Sequence, residues 1–217
     1  YYGNEDHGAS VYTCYIGQEL KGRIESYLRS CRQSHAAFLT ACTQLLLARL
    51  LGSGDILTGM PVANRDRADI KDVVGFFLNT ILLRTEVDRS LSFERFLVKQ
   101  GDKLLSALEH QHFPIEWVLE EIDIAIRSMD LAAIIPVFIN VQDFEHTRQH
   151  QVTALEASHG SSAQEAKFDL ECYFTVYHNA IGLTAVYRNS LFKPESIQLW
   201  MDGLRGVMEQ AIATPGA

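Results

Sequence analysis

Strands and helices follow one another irregularly along this chain, and that order predicts an α+β domain of mixed α/β layers, in which helices pack on a central mixed sheet. Alternating or continuous apolar runs mark the strands, whereas apolar residues three and four apart mark the helices. With 217 residues, of which 47% are hydrophobic and 21% charged, the chain can bury a sizeable core. We expect one structural unit over residues 1–217.

The first half of the chain opens with a strand, two helices and two further strands. The predicted ranges are Ser10–Ile16, Gln18–Ser30, His35–Leu51, Asp55–Val62 and Val74–Val87. Ser34 is a typical N-cap of the second helix and Gly52 a typical stop. Because this helix is apolar on nearly every face, we expect it to be buried.

The second half contains three predicted helices, of which the first runs from the cap Ser92 to about Glu109. Pro114 fits the first turn of a short helix, and Pro194 opens the last one. Apolar segments predict strands at Ile134–Gln142, Phe168–Tyr177 and Ile181–Arg188. Residues 143–166 are polar and poorly periodic, so we expect a long excursion away from the core.

Composition narrows the choice of partners and compartment. A net charge of −8 without a basic patch opposes binding to nucleic acid, and no apolar run is long enough to span a membrane. The four cysteines have no paired spacing and are interpreted as free thiols. The chain starts with Tyr1 rather than Met and shows no signal peptide, so we expect a piece of a longer, cytoplasmic protein.

Asn79 is the strongest candidate for a functional residue, because it interrupts the apolar segment VGFFLNTILLR at residues 74–84. Asn is unfavourable in strands, and a buried amide needs partners for both its carbonyl and its NH2 group. The structural alternative is an Asn at a turn or strand end that bonds nearby backbone.

Four ordered segments resemble motifs of one family, the condensation domains of nonribosomal peptide synthetases. Residues 74–84 are similar to its Gly-x-Phe-Val-Asn-Thr…Arg motif, and HQHFPIE at residues 110–116 to its His-Gln-Asp-x-Pro-Phe-Glu. DILTGMPVANR at residues 55–65 resembles Asp-Ile-Val-Val-Gly-x-Pro-Val-Ala-Gly-Arg, and KFDL at residues 167–170 resembles Lys-Phe-Asp-Leu. His112 and Ile115 depart from the second motif, where the family has Asp and Phe.

The resemblance implies one lobe of a fold like chloramphenicol acetyltransferase, in which two similar lobes form a V. The family's catalytic His-His-x-x-x-Asp-Gly run belongs to its N-terminal lobe and is absent from these residues. The chain is therefore similar to the C-terminal, acceptor-side lobe, with no catalytic residue of its own, and is expected to be inactive alone. The excursion would correspond to the segment that contacts the other lobe.

The resemblance also implies roles for individual residues. Gly75, Asn79 and Thr80 would line the cleft for substrate and phosphopantetheine. Structural residues near the cleft would be Arg84, His110, Gln111, Pro114, Arg127 and Asp169. Arg127 takes the first position of the family's Arg-Asp-x-Ser-Arg-x-Pro, of which only that Arg survives. Asp169 either pairs with Arg84 or Arg188 or points outward from a strand start.

In such a domain, an aminoacyl group on one carrier protein attacks an acyl or peptidyl thioester on another. The implied partners are the N-terminal lobe, donor and acceptor carrier proteins with phosphopantetheine arms, and an adjacent adenylation domain. No cofactor is expected to bind directly. Two alternatives stay open, namely a cyclising, epimerising or other acyl-transferring relative, and a non-catalytic platform on which a carrier or tailoring protein docks.

Other chemistry has little support in the sequence. His110, His112 and Glu116 are residue types that bind zinc, but the two histidines are too close in sequence to point the same way and no further ligands follow, so no metal is expected. The chain contains no Gly-x-Ser-x-Gly elbow, and no cysteine has neighbours that would lower its pKa. Gly52-Ser53-Gly54 lacks the Lys of a phosphate loop.

Overall fold

The structure is a computed structural model and describes residues 8–65, 68–70, 72–122, 131–144 and 157–216. Within these ranges, seven strands form one sheet and six helices accompany it. The strands are β1 (Gly8–Ile16), β2 (Asp55–Val62), β3 (Asn79–Glu86), β4 (Val137–Asp143), β5 (Ser158–Glu165), β6 (Leu170–Val176) and β7 (Ile181–Arg188). The helices are α1 (Gln18–Cys31), α2 (His35–Leu51), α3 (Phe93–Glu109), α4 (Ile115–Ile122), α5 (Leu131–Ile134) and α6 (Pro194–Ala213).

The sheet is mixed, with the strand order β3-β2-β4-β6-β7-β1-β5. β4 is parallel to both of its neighbours, β2 and β6, while the other adjacent strands are antiparallel. Because β3 runs antiparallel beside β2, the first residue of β3 lies next to the last residue of β2. The predicted fold class, helices on a central mixed sheet, is confirmed.

One apolar core joins alternate strand residues to helices α1, α2, α3 and α6. On β7 these residues are Ile181, Leu183, Ala185 and Tyr187, each at most 1% exposed. Helix α2 is buried along most of its length, as its sequence predicts, and lies against α3 and α6. In the described ranges, no single helix is long and apolar enough to cross a membrane, although α1 and α2 together pass that test as a pair bent by 106°.

The predicted helix signals are present in the structure. The Ser34 hydroxyl accepts a hydrogen bond from the Ala37 amide at 3.1 Å, and Ser92 accepts one from the Arg95 amide at 3.5 Å. Gly52 ends α2 with a φ of 64°, a left-handed conformation that glycine adopts without strain. Pro194 opens α6. These boundaries depend on residues close in sequence, which is why they could be predicted.

The predicted strand over Val74–Val87 is wrong in its first five residues, because β3 begins only at Asn79. The last residue of β2, Val62, already pairs with Asn79, so residues 74–78 have no neighbouring strand to pair with. They lie instead in the β2–β3 loop, of which the structure describes residues 63–65, 68–70 and 72–78, and Val74 and Phe76 are 101% and 87% exposed. Asn79 is thus a half-buried residue at a strand start, not an interruption inside a strand.

The expectation of a long excursion over residues 143–166 is wrong for its last part. Ser158–Glu165 form β5, which pairs antiparallel with β1 at one end of the sheet. The segment lacks the apolar alternation of a buried strand, but an edge strand gains backbone hydrogen bonds without an apolar face. Residues 145–156 lie outside the described ranges.

All four cysteines are free, as predicted, and three of them are buried. Burial raises the pKa of the Cys14 thiol to about 11. It also raises the pKa of Cys42 and of Cys172. Since the thiolate is the reactive form, these residues serve as apolar core rather than as nucleophiles.

We expect Gly59→Ala to lower the free energy of unfolding by about 1–3 kcal/mol. Gly59 lies opposite Phe138 where β2 meets β4, and an added Cβ would be 2.9 Å from Ile135 Cγ2 and 3.0 Å from Phe138 Cδ2. Gly22→Ala on α1 is the matched control, because a Cβ there meets nothing within 4 Å. It should raise stability by about 0.5–1 kcal/mol. Urea denaturation measures both, and equal changes would contradict the close approach at Gly59.

Candidate functional site

The side chain of Asn79 connects the start of β3 to the corner between α3 and α4. Its Nδ2 donates hydrogen bonds to the carbonyl oxygens of Gln111 at 2.7 Å and Phe113 at 2.6 Å. Two carbonyl partners require the NH2 group on this side, so the amide orientation is determined. The remaining atom, Asn79 Oδ1, accepts no hydrogen bond from any described residue. The structure places the amide where it holds the corner and can still accept one hydrogen bond.

A second contact joins the same corner to the end of β2. His112 Nδ1 lies 2.6 Å from Asn64 Oδ1, which gives a hydrogen bond across 48 residues of sequence. Asn64 has a φ of 51°, in the left-handed region that Asn tolerates better than most residues. The corner 110–114 is therefore attached to both ends of the β2–β3 loop.

Arg65 occupies the inside of the β2–β3 loop. Its guanidinium donates to the carbonyl oxygens of Ile70 at 2.9 Å, Val73 at 2.7 Å and Gly75 at 3.0 Å. Its Cζ also lies 4.4 Å from the centre of the Phe77 ring, a cation–π distance. Among residues 74–78, which have no neighbouring strand, the Gly75 carbonyl is thus satisfied by an arginine.

An apolar cleft of about 380 Å³ lies between β3 and the corner. Its lining residues are Thr80, Ile81, Leu82, Ala107, His110, Phe113, Ile115 and Val118. Phe113 and Trp117 are edge to face beside it, with ring centres 6.2 Å apart, and both are about 60% exposed. Thr80 and His110 line this cleft. Asn79 and Gly75 are not among its lining residues, but Asn79 bonds the carbonyl of Phe113, which is one of them.

Two of the predicted residues, Gly75 and Pro114, take part in the hydrogen bonds around the corner and the loop through their backbone carbonyls. The Gly75 carbonyl accepts from Arg65, and the residue itself is exposed in the loop. The Pro114 carbonyl accepts from the Trp117 amide at 3.1 Å, and Pro114 directly precedes the first residue of α4, Ile115, rather than lying inside its first turn. His110 Nδ1 lies 2.9 Å from the Ser106 carbonyl oxygen, which ties its ring to the last turn of α3.

Arg84 and Asp169 lie away from this group. Arg84 is at the other end of β3, about 17 Å from Asn79 along an extended strand, and forms a two-point ion pair with Asp55 at 2.9 and 2.8 Å. The hydrogen bond from Arg84 holds the pKa of Asp55 below its ordinary value. Asp169 pairs with the buried Arg188, with Nη1 and Oδ1 3.5 Å apart, so of its two predicted partners Arg188 is the one found.

We expect Asp169→Ala to lower the free energy of unfolding by about 3 kcal/mol, because it removes the carboxylate that pairs with the Arg188 guanidinium, whose side chain is 5% exposed. Asp55→Ala is the control, since its ion pair with Arg84 is exposed to solvent and should contribute far less to stability. Thermal denaturation compares the two variants. Equal losses would mean that the Asp169 pair is as weak as a surface pair.

Of the remaining predictions, the one for Arg127 lies outside the described residues. Among the residues described, no three His, Cys, Asp or Glu side chains are grouped so that they could hold a metal ion.

The buried carboxylate of Glu171 accepts from the Lys167 amide at 3.0 Å and the Tyr173 hydroxyl at 2.5 Å. Burial, and then this bond, raise the pKa of Tyr173. Glu171 is thus held by local contacts.

Sequence reasoning missed Asn64 and Arg65 as parts of the site. It considered His112 as a departure from a motif and as a rejected metal ligand, not as a hydrogen-bond partner of Asn64. Their position could have indicated them, since Asn64 and Arg65 come two and three residues after the end of β2, and the antiparallel neighbour of β2 begins at Asn79. Residues that follow the end of β2 therefore lie close to the start of β3. Their partners, however, are 48 residues away or belong to the backbone, and no local pattern identifies them.

The fold and motifs define a class of protein, and comparison with known sequences identifies it. The sequence model of the Condensation domain family matches residues 7–217. This chain belongs to the Condensation domain family, the condensation domains of nonribosomal peptide synthetases. It is 28% identical over 200 residues to surfactin synthase subunit 2 of Bacillus subtilis (strain 168), a match that covers 92% of this chain and 6% of that protein. The chain thus spans a small part of such a relative.

Solved structures agree with the fold. The condensation domain from Monacolin K polyketide synthase MokA matches with a TM-score of 0.80 at 18% identity, over 97% of this chain and 48% of that one. A four-domain nonribosomal peptide synthetase, holo-AB3403 bound to AMP and glycine, matches with a TM-score of 0.81 at 17% identity, over 97% of this chain and 17% of that one. The chain has the architecture of about half of the isolated condensation domain.

Proposed function

We propose that this chain is the C-terminal, acceptor-side lobe of a condensation domain that joins two carrier-bound thioesters through an amide bond. The observation that carries the proposal is its match to 48% of a condensation domain over nearly its whole length. The exposed apolar side chains beside Asn79 support it, because Phe76 is 87% and Trp117 59% exposed. Apolar groups concentrated at one edge are typical of a surface that another part of the protein covers.

In the proposed reaction, the amine of the acceptor aminoacyl group attacks the carbonyl carbon of the donor thioester. A C–N bond forms, the C–S bond breaks, and the donor thiol leaves with the proton that the amine gives up. The chemistry depends chiefly on orientation of the amine and on dipoles preorganised around the developing oxyanion. A His-His-x-x-x-Asp-Gly motif in the N-terminal lobe would supply the catalytic histidine.

The role proposed for Asn79 in that reaction is based on the hydrogen bonds of its side chain. Both hydrogens of its NH2 group are used by Gln111 and Phe113, so the side chain has no donor left for an oxyanion. Its Oδ1 can accept a hydrogen bond from an N–H group, either the acceptor amine or an amide of a phosphopantetheine arm. Asn79 would therefore orient an N–H donor in the cleft, with Thr80 and the Gly75 segment beside it.

Partners and compartment follow from the proposed role. The lobe would work with its N-terminal counterpart, with donor and acceptor carrier proteins whose phosphopantetheine arms enter from opposite faces, and beside an adenylation domain. No group would bind to this lobe permanently. We place the protein in the cytoplasm.

The test is a mass-spectrometric condensation assay with donor and acceptor carriers loaded as thioesters, run with this chain alone and joined to an N-terminal lobe. We expect an amide product in the joined reaction and none with the chain alone. A cyclised or epimerised product from the joined protein would support an acyl-transferring relative with different chemistry. If the joined protein folds and binds carriers but yields no product, the result would contradict an enzymatic role and support a non-catalytic docking platform.

A further inference from the structure

Two side chains at which this sequence differs from the family's motifs contact each other. Asn64 stands where the motif quoted above has Gly, and His112 stands where the other motif has Asp. The Asn64 Oδ1 and His112 Nδ1 atoms are 2.6 Å apart, although the residues are separated by 48 positions. A change at either position alone would remove this hydrogen bond, so the two departures are best understood as one unit.

The bond lies at the point where it can control the position of the β2–β3 loop. Asn64 is at one end of the loop and Asn79 at the other, and both bond the corner 110–114. Asn79 holds the carbonyls of Gln111 and Phe113, the residues on either side of His112. Between the two ends, Arg65 holds the loop through three carbonyls. The two ends of the loop are therefore attached to the corner by the Asn64–His112 bond and by the Asn79 bonds.

We propose that Asn64 and His112 are a pair of positioning residues that set where the loop bearing Gly75 stands relative to Asn79. This inference rests on the proposed function, because it assigns the pair a role in the acceptor cleft. Neither residue needs to touch substrate. His112 donates its Nδ1 proton to Asn64 Oδ1, and the corner transmits the constraint to the residues of the cleft.

A double-mutant cycle on the intact condensation domain tests the pair. Asn64→Gly removes the amide at a φ of 51° that glycine adopts freely, and His112→Ala removes the ring. Each change should lower kcat/KM for the loaded acceptor about tenfold, and the double variant should also lose about tenfold, because all three lack the same hydrogen bond. The loss should reside in the acceptor KM, with the donor KM unchanged. Asn64→Asp keeps an oxygen acceptor and should retain activity within about threefold.

Matched controls come from exposed positions elsewhere in the chain. Asn189→Gly and His178→Ala change the same residue types in other turns and should leave both Michaelis constants unchanged. A loss of about a hundredfold in the double variant, as expected for independent residues, would overturn the pairing. So would unfolding of Asn64→Gly, which would mean that the bond holds the fold together rather than the loop in place.

Hydrogen exchange on this chain separates the inference from the proposed function, since it needs no activity. The Val73 amide bonds the Ile70 carbonyl at 3.2 Å and the Phe113 amide bonds the His110 carbonyl at 3.1 Å, so both report on the loop and the corner. Both amides should exchange several-fold faster in Asn64→Gly and in His112→Ala, but not in His178→Ala. If exchange is faster in the variants but the wild-type domain is inactive, only the proposed condensation activity is refuted. If exchange is unchanged in the variants, the positioning role of Asn64 and His112 is refuted.

Discussion

Gln44→Ala is expected to lower the free energy of unfolding by about 3–5 kcal/mol, the largest stability loss from a single polar side chain here. Gln44 is fully buried on α2. Its Nε2 donates to Thr58 Oγ1 at 3.0 Å and to the Leu83 carbonyl at 3.3 Å, while its Oε1 accepts from Thr85 Oγ1 at 3.0 Å. Removing the amide leaves polar groups of β2 and β3 without this partner and creates a cavity at the centre of the core.

Urea denaturation of this chain, followed by circular dichroism and tryptophan fluorescence, measures the effect. Gln198→Ala is the matched control, because Gln198 is exposed on α6 and its loss should change stability by less than about 0.5 kcal/mol. Thr85→Val retains the shape of the side chain but removes its hydroxyl, and should cost about 1–3 kcal/mol. If Gln44→Ala and Gln198→Ala were equally stable, the buried network would not be a determinant of the fold.

Asn79→Ala is expected to lower turnover of the intact condensation domain about a hundredfold, because a small displacement of a positioning group is that costly in orientation-dependent reactions. The variant loses the two bonds to the corner and the Oδ1 acceptor together. Asn79 is only half-buried at the start of an edge strand, so the melting temperature should fall by no more than a few degrees. Turnover in the carrier-loaded assay and thermal denaturation are compared on the same preparations.

Asn79→Asp distinguishes the two roles of the side chain. It retains an oxygen acceptor but turns a carboxylate oxygen towards the carbonyls of Gln111 and Phe113, which repels the corner. If the hydrogen bonds to the corner matter most, turnover should fall as far as in Asn79→Ala. If the Oδ1 acceptor matters most, turnover should fall less than in Asn79→Ala. Asn189→Ala, at an exposed turn, serves as the control and should retain full turnover. Parallel losses of turnover and melting temperature in Asn79→Ala would make Asn79 a structural residue only.

The two edges of the sheet show where prediction from sequence failed. Residues 74–78 have the composition of a strand, but β2 ends at Val62 and provides no partner for them, while Arg65 binds the loop carbonyls. Ser158–Glu165 lack that composition, yet β1 offers an open edge to which they pair. In both cases the availability of a neighbouring strand decided the outcome, and that is not encoded in the local pattern.

The sequence by itself determined the family, the central strands and every described helix except α5. It predicted a strand from Ile134, but Ile134 is the last residue of α5 and β4 begins only at Val137. Ser34, Gly52, Ser92 and Pro194 mark helix ends through contacts within a few residues, and the four motifs identify a condensation domain in the order in which they occur. Only the tertiary structure decided that Asn64 meets His112, that Asn79 holds the corner and that Asp169 pairs with Arg188 rather than Arg84. These contacts join residues that are far apart in sequence, so they depend on how the strands are arranged in the sheet. Short-range propensities contain no information about that order.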